Sequence, residues 1–170
     1  MEQVILVDEH DNEIGVEEKT AAHVNGKLHR AFSIFVFDSH GKLLLQKRAA
    51  HKYHSGDLWS NACCGHPRPG EGTEQAAHRR LKEEMGFDCE LKNIHSFSYR
   101  TEFDNGLIEH EYDHVFVGRT DLQPQHDPSE VGDWKWVEPG WLTSDVKQHP
   151  ERYTVWFRRC LDEVMAHHMR

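Results

Sequence analysis

Two segments constrain this chain most, CELKNIHSFSYRTEF (89–103) and LIEHEYDHVFVGRT (107–120), each long enough for an extended strand. Between them lies Asp104-Asn105-Gly106, whose Asn-Gly pair accepts the left-handed backbone of a tight hairpin turn. A second hairpin is expected from AFSIFVFD and KLLLQKRA, joined by Ser39-His40-Gly41. Gln3 to Val7 reads as a short strand followed by a turn at DEHDNE, and DWKWVEP as a late strand. Thr73 to Met85 is the clear internal helix, because Ala77, Leu81 and Met85 recur at helical spacing; Thr73 is placed to cap it and Gly86 to stop it. From Pro150 to His168 the chain reads as a C-terminal helix, with Val155, Leu161, Val164 and Met165 on one apolar face. Short connections between interleaved strands and helices predict an α/β (mixed α+β) fold, a mixed β-sheet flanked by helices.

No internal repeat or low-complexity linker interrupts the 170 residues, so one domain spanning 1–170 is expected. The formal charge of -9, without a basic stripe, argues against nucleic acid as partner. A few local Lys and Arg can still bind a phosphorylated small molecule. No apolar run approaches the length of a membrane span, and the N-terminus does not read as a signal peptide. A cytoplasmic protein with free thiols at Cys63, Cys64, Cys89 and Cys160 is the expectation.

Strand alternation sorts the polar residues. In IEHEYDH, Glu109, Glu111 and Asp113 share one face, and His110, Tyr112 and His114 the other. Three carboxylates on one face repel unless they are solvated or hold a cation; taken alone, they read as a wet outer face. In WSNACCGHP the same rule sets Cys64 with His66 and turns Cys63 away. A disulfide between adjacent cysteines is disfavoured, since α-carbons about 3.8 Å apart are closer than a disulfide normally spans. A structural zinc site lacks its second ligand pair. Cys63 reads as a buried small residue, and Cys64 as a functional one. On the helix, Arg79 and Glu83, like Arg80 and Glu84, lie one turn apart.

From Gly65 to Phe87 the spacing resembles the Nudix box: Gly65, five residues, Glu71, seven residues, then Arg79-Arg80-Leu81-Lys82-Glu83-Glu84-Met85-Gly86-Phe87. The usual pattern has Arg-Glu where this chain has Arg79-Arg80. An arginine there would repel a metal but can grip phosphate oxygens in a fork. EKTAAH, LHRAF, WSNACCGHP, RRLKEEMG, SYR, IEHE and YTVWF, in that order, are similar to the type I isopentenyl-diphosphate isomerase branch of the superfamily.

That resemblance implies a Nudix-like sandwich and a reaction, the conversion of isopentenyl diphosphate to dimethylallyl diphosphate. It implies a divalent metal site at His23, His29, His66, Glu109 and Glu111, a ligand set suited to manganese, zinc or iron(II). It places Mg2+ on Glu84 and the diphosphate, with Lys19, Arg48, Lys52 and Arg80 around that anion. Protonating an unactivated alkene creates a tertiary carbocation, so the site needs an acid, an opposing base and a dry pocket that tolerates positive charge. Glu111 and Cys64 match the two proton-transfer positions, with Tyr99 beside the glutamate and Trp156 facing the cation. Cys64 is expected as a thiolate whose pKa nearby cations lower. A monomer or weak homodimer is the default, and a Nudix-type diphosphate hydrolase is the alternative.

Overall fold

The computed structural model describes residues 2–52 and 54–169. The elements run β1 (Gln3–Val7), β2 (Glu13–Glu18), α1 (Lys19–Asn25), β3 (His29–Phe37), β4 (Leu43–Arg48), β5 (Trp59–Ser60), β6 (Cys63–Gly65), α2 (Thr73–Met85), β7 (Leu91–Glu102), β8 (Ile108–Arg119), β9 (Val131–Val137), α3 (Pro139–Gln148), a 3-10 turn (Pro150–Arg152) and α4 (Val155–His168).

β3 organises the sheet. One edge pairs in parallel with β8 from His29↔Glu111 to Phe37↔Arg119. The opposite edge is shared by three antiparallel partners in turn: β1 at His29, β6 at Phe32 to Ile34 and β4 at Phe37. β8 carries the long ladder to β7, while β4 pairs with β5 and β9. With one parallel pair among antiparallel ones, the sheet is mixed as expected.

The β3 pleat feeds two cores. Phe32, Ile34 and Val36 pack with Ala76, Ala77, Leu81 and Met85 of α2 and with Cys63. Phe35 and Phe37 pack on the other face with Val115, Val117 and the α4 residues Phe157, Cys160, Leu161 and Val164. Each such buried aromatic or aliphatic side chain contributes about 1.5–3 kcal/mol of hydrophobic stabilisation. The sheet is thus enclosed by helices on both faces.

Gly86 ends α2 at φ 74°, where a Cβ would lie 2.4 Å from the Gln125 carbonyl oxygen, so a stop there requires glycine. Thr73 is not the cap. Gly72 occupies that position without a side chain to offer, and Thr73 is the first helical residue. The C-terminal helix also begins later than the sequence suggests. Pro150 opens only a 3-10 turn, and the chain then runs extended through Tyr153 and Thr154, whose amide donates to the Trp59 carbonyl at 3.0 Å. No helix among the described residues is long and apolar enough to cross a membrane.

Candidate active site

On β8 the face that presents Val115 and Val117 to α4 continues as Asp113, Glu111 and Glu109, all buried. These carboxyl groups are not the wet outer face that three like charges suggest. His29, at the start of β3, lies directly opposite Glu111 across the parallel pair. His66 follows β6, two residues beyond Cys64, and α1 delivers His23 from above the strand ends.

One donor atom from each of His23, His29, His66, Glu109 and Glu111 lies within 4.8 Å of all the others. The imidazole Nδ1 atoms show which form these rings take. His23 Nδ1 faces the Lys19 carbonyl at 2.7 Å and His29 Nδ1 the Lys27 carbonyl at 2.9 Å. A carbonyl only accepts, so both Nδ1 atoms carry hydrogen, and in a neutral ring Nε2 then presents a lone pair. His23 Nε2 lies 2.8 Å from Glu109 Oε1, and His66 Nε2 lies 2.7 Å from Glu111 Oε2. His29 Nε2 is buried without a hydrogen-bond partner, 3.5 Å from Glu109 Oε1 and 3.4 Å from Glu111 Oε2. Lone pairs aimed at carboxylates require positive charge between them, either protons or a cation. The donor set therefore fits a divalent metal, with imidazole and carboxylate suited to manganese, zinc or iron. Burial alone would raise Glu109, but the facing His23, His29 and His54 rings outweigh it and hold this carboxyl well below its usual range. Burial lowers His66, which favours the neutral, ligating ring.

Tyr99, buried on β7 across the ladder from Glu111, donates to Glu111 Oε1 at 2.6 Å. Glu111 thus divides its oxygens, one to the cluster and one to Tyr99. Cys64 borders the same pocket, while Cys63 turns into the α2 core, as alternation predicts. The Asn61 amide donates to Cys64 Sγ at 3.2 Å, and Sγ faces Ser33 Oγ at 3.8 Å; Ser33 in turn donates to Asp113 Oδ2 at 2.7 Å. The cation-lowered thiolate is not what these surroundings produce. Burial pushes the thiol up to about 12, so Cys64 holds its proton. Burial and then Glu111 likewise push the Asp113 carboxyl well above its usual range, which relieves the cost of its unpartnered Oδ1.

Trp156, in the first turn of α4, walls the pocket, with the Arg48 guanidinium 5.1 Å from its ring centre. The rest of the lining is largely basic, and three of its bases face acids. Arg80 pairs with Glu84, Lys52 with Glu130, and Lys19 with Glu2 at 3.5 Å. Glu84 also accepts from Gln46 Nε2 at 3.0 Å. Gly65 allows this close packing, since a Cβ there would lie 2.8 Å from the Phe32 ring and 3.1 Å from Arg80 Cγ. Glu71 serves otherwise: Arg79 holds both its oxygens, at 2.8 and 2.9 Å, clamping the loop to α2.

Sequence reasoning missed His54, whose Nε2 lies 2.7 Å from Glu109 Oε2, and Asn61, which sits inside the quoted WSNACCGHP stretch. Asp113 shares the strand face of Glu109 and Glu111 but is not among the five clustered residues.

The NUDIX domain model matches residues 27–160. Isopentenyl-diphosphate Delta-isomerase 2 of Aromatoleum aromaticum is 62% identical over 97% of this chain and 87% of its own length. Isopentenyl-diphosphate Delta-isomerase of Serratia proteamaculans is 52% identical, covering 99% of this chain and 94% of its own. Among solved structures, a Deinococcus radiodurans protein superposes with a TM-score of 0.73 at 22% identity, over 87% of this chain and 90% of its own, which shows the shared fold. Strand order, pocket and these likenesses together place the chain in the Nudix superfamily and, within it, in the isopentenyl-diphosphate Delta-isomerase family.

Proposed function

We infer that the protein isomerises isopentenyl diphosphate to dimethylallyl diphosphate, a step of isoprenoid biosynthesis. The observation that carries this reading is one pocket lined both by Cys64, Glu111 and Trp156 and by the basic residues Lys19, Arg48, Lys52 and Arg80. A substrate with an anionic head and a short apolar tail suits that polarity.

In this reading the basic residues grip the diphosphate, and Glu84 would hold a Mg2+ ion that neutralises its charge. Anchoring the head holds the five-carbon tail in reach of the proton-transfer groups. One group delivers a proton to the terminal alkene carbon, and the other removes one from the allylic carbon; Cys64 and Glu111 exchange these roles when the reaction reverses. The Tyr99 hydroxyl fixes Glu111 Oε1 and is placed to relay its proton. The Trp156 face stabilises the tertiary cation between the two steps, and its bulk excludes water that would trap it. His23, His29, His66, Glu109 and Glu111 hold a divalent ion, manganese first, then zinc or iron(II). When bound, that ion supplies Lewis-acid polarisation of the Glu111 carboxyl. The protein acts in the cytoplasm, as one domain over 1–170 and as a monomer or weak dimer.

A Nudix hydrolase is disfavoured. Arg80 stands where the hydrolase pattern has a glutamate, and Glu71 and Glu83 are both engaged by Arg79. Incubation with isopentenyl diphosphate in deuterated water, followed by NMR, separates the readings. Deuterated dimethylallyl diphosphate is expected; released phosphate without isomerisation would overturn the assignment.

A further inference from the structure

Four imidazoles surround Glu109 and Glu111, and one differs from His23 and His29 in what faces its Nδ1. His54 sits in the loop between β4 and β5, with its side chain 2% exposed. Its Nε2 lies 2.7 Å from Glu109 Oε2, the oxygen that neither His23 nor His29 approaches. Its Nδ1 lies 3.1 Å from the Ser55 hydroxyl. His23 and His29 meet carbonyls at Nδ1, which forces hydrogen onto that atom and leaves Nε2 as a lone pair. A hydroxyl can donate. With Ser55 donating to Nδ1, the hydrogen of a neutral His54 sits on Nε2 and points at Glu109.

The loop is built to hold that ring. Ser55 and Asp57 adopt φ of 55° and 64°, a left-handed backbone that non-glycine residues enter at a cost and keep only when their surroundings demand it. Arg48 donates to the His54 carbonyl at 3.3 Å. The ring stacks on Phe103 at 4.2 Å and 10°, and meets Trp156 edge-on at 5.7 Å and 74°.

We propose that His54 is a positioning residue which, with its proton directed by Ser55, holds Glu109 Oε2 so that Oε1 is turned toward the metal ligands. Hydrogen bonds of this kind to a ligating group tune metal affinity, and their loss typically costs about 10- to 100-fold. His54 is not itself a ligand, because its Nε2 lone pair is committed to N–H. The contacts with Phe103 and Trp156 give the same ring a second task, fixing the wall that faces the carbocation. This inference rests on the metal reading of the site.

The test titrates metal-depleted full-length protein with Mn2+ and follows the free ion by electron paramagnetic resonance. Spin-echo measurements then count histidine nitrogens on the bound ion. Wild type is expected to bind one Mn2+ with three histidine nitrogens. His54→Phe, which keeps an aromatic ring but has no donor, is expected to weaken binding about 10- to 100-fold with the nitrogen count unchanged. His54→Gln, whose amide can donate from a similar place, should recover most of that loss, and Ser55→Ala should weaken binding only several-fold. Circular dichroism melts identify any variant that has not folded, and the His54→Gln comparison then decides. Equal loss in Phe and Gln variants, unchanged affinity in His54→Phe, or a drop to two coordinated nitrogens would overturn the proposal. Absence of Mn2+ binding by wild type would overturn the metal reading together with it.

Discussion

The two ends of the pocket are built on opposite principles. At the end holding Cys64, Glu111 and the histidine cluster, groups are mostly buried and fixed by uncharged neighbours: Tyr99 on Glu111, Asn61 on Cys64, backbone carbonyls on His23 and His29. At the end holding Lys19, Lys52 and Arg80, each cation faces a carboxylate of the protein. In the proposed reaction, an arriving diphosphate would have to compete with Glu2, Glu84 and Glu130 for these cations. The first end is prepared for reaction before substrate arrives, and the second is rearranged by it. Substitutions at the first should therefore act on kcat, and at the second on KM.

The largest effect expected from this contrast is at Cys64. Cys64→Ala removes one proton-transfer group and should lower kcat by about 10²–10⁴-fold or more, whereas Cys63→Ala, on the α2 face, should leave most turnover. Comparable activity in the two variants, measured by product formation, would break the contrast. Next is the cluster: elemental analysis of His66→Ala should show the divalent ion largely lost, and undiminished metal would remove His66 from the ligand set. Trp156→Leu should lower kcat about 30-fold, the equivalent of a cation–π interaction near 2 kcal/mol, while leaving diphosphate affinity close to wild type. Equal losses in kcat and in binding of inorganic diphosphate would return Trp156 to a packing role. Arg80→Ala should raise KM about tenfold with a smaller change in kcat, as loss of a charge-assisted anion contact implies. The smallest expected change is the stability of Cys63→Ala, lower by about 1 kcal/mol in a urea titration because a buried sulfur leaves a small cavity.

Much of this architecture can be read in the sequence because its signals are local. The turn at Asp104-Asn105-Gly106 and the α2 stop at Gly86 are decided within a few residues, and both appear as expected. The missed elements lack such signals. α1 has seven residues, too few to show a period, and α3 buries only Leu142. β2 is a sheet edge with Ile14 and Val16 exposed, so its apolar residues do not point to a core. Pro150 misleads because proline suits the start of a 3-10 turn as well as of an α-helix.

The site shows the same division. The family resemblance brought together His23, His29, His66, Glu109 and Glu111, which the fold gathers within 4.8 Å. His54 could not be singled out in a chain with 15 histidines, because its partner Glu109 lies 55 residues away and its loop carries no pattern. The protonated state of Cys64 was also hidden: it depends on burial of the thiol, which no local pattern in the sequence announces.

The parallel register that sets His29 opposite Glu111 has a bearing on how the chain folds. The cluster draws on α1, β3, β8 and the segment after β6, and two of its members, His23 and Glu109, are 86 residues apart. Pairing strands so far separated is slow, since a long loop must close before any contact compensates for it. No partly assembled chain can offer all five donors, so a cation that selects this set binds only molecules in which β3 and β8 have already joined. At a concentration about 100 times its dissociation constant, such a ligand adds about 2.7 kcal/mol to the stability of the completed state. The same ion that serves the reaction would thereby act as a latch on the slowest-forming part of the sheet.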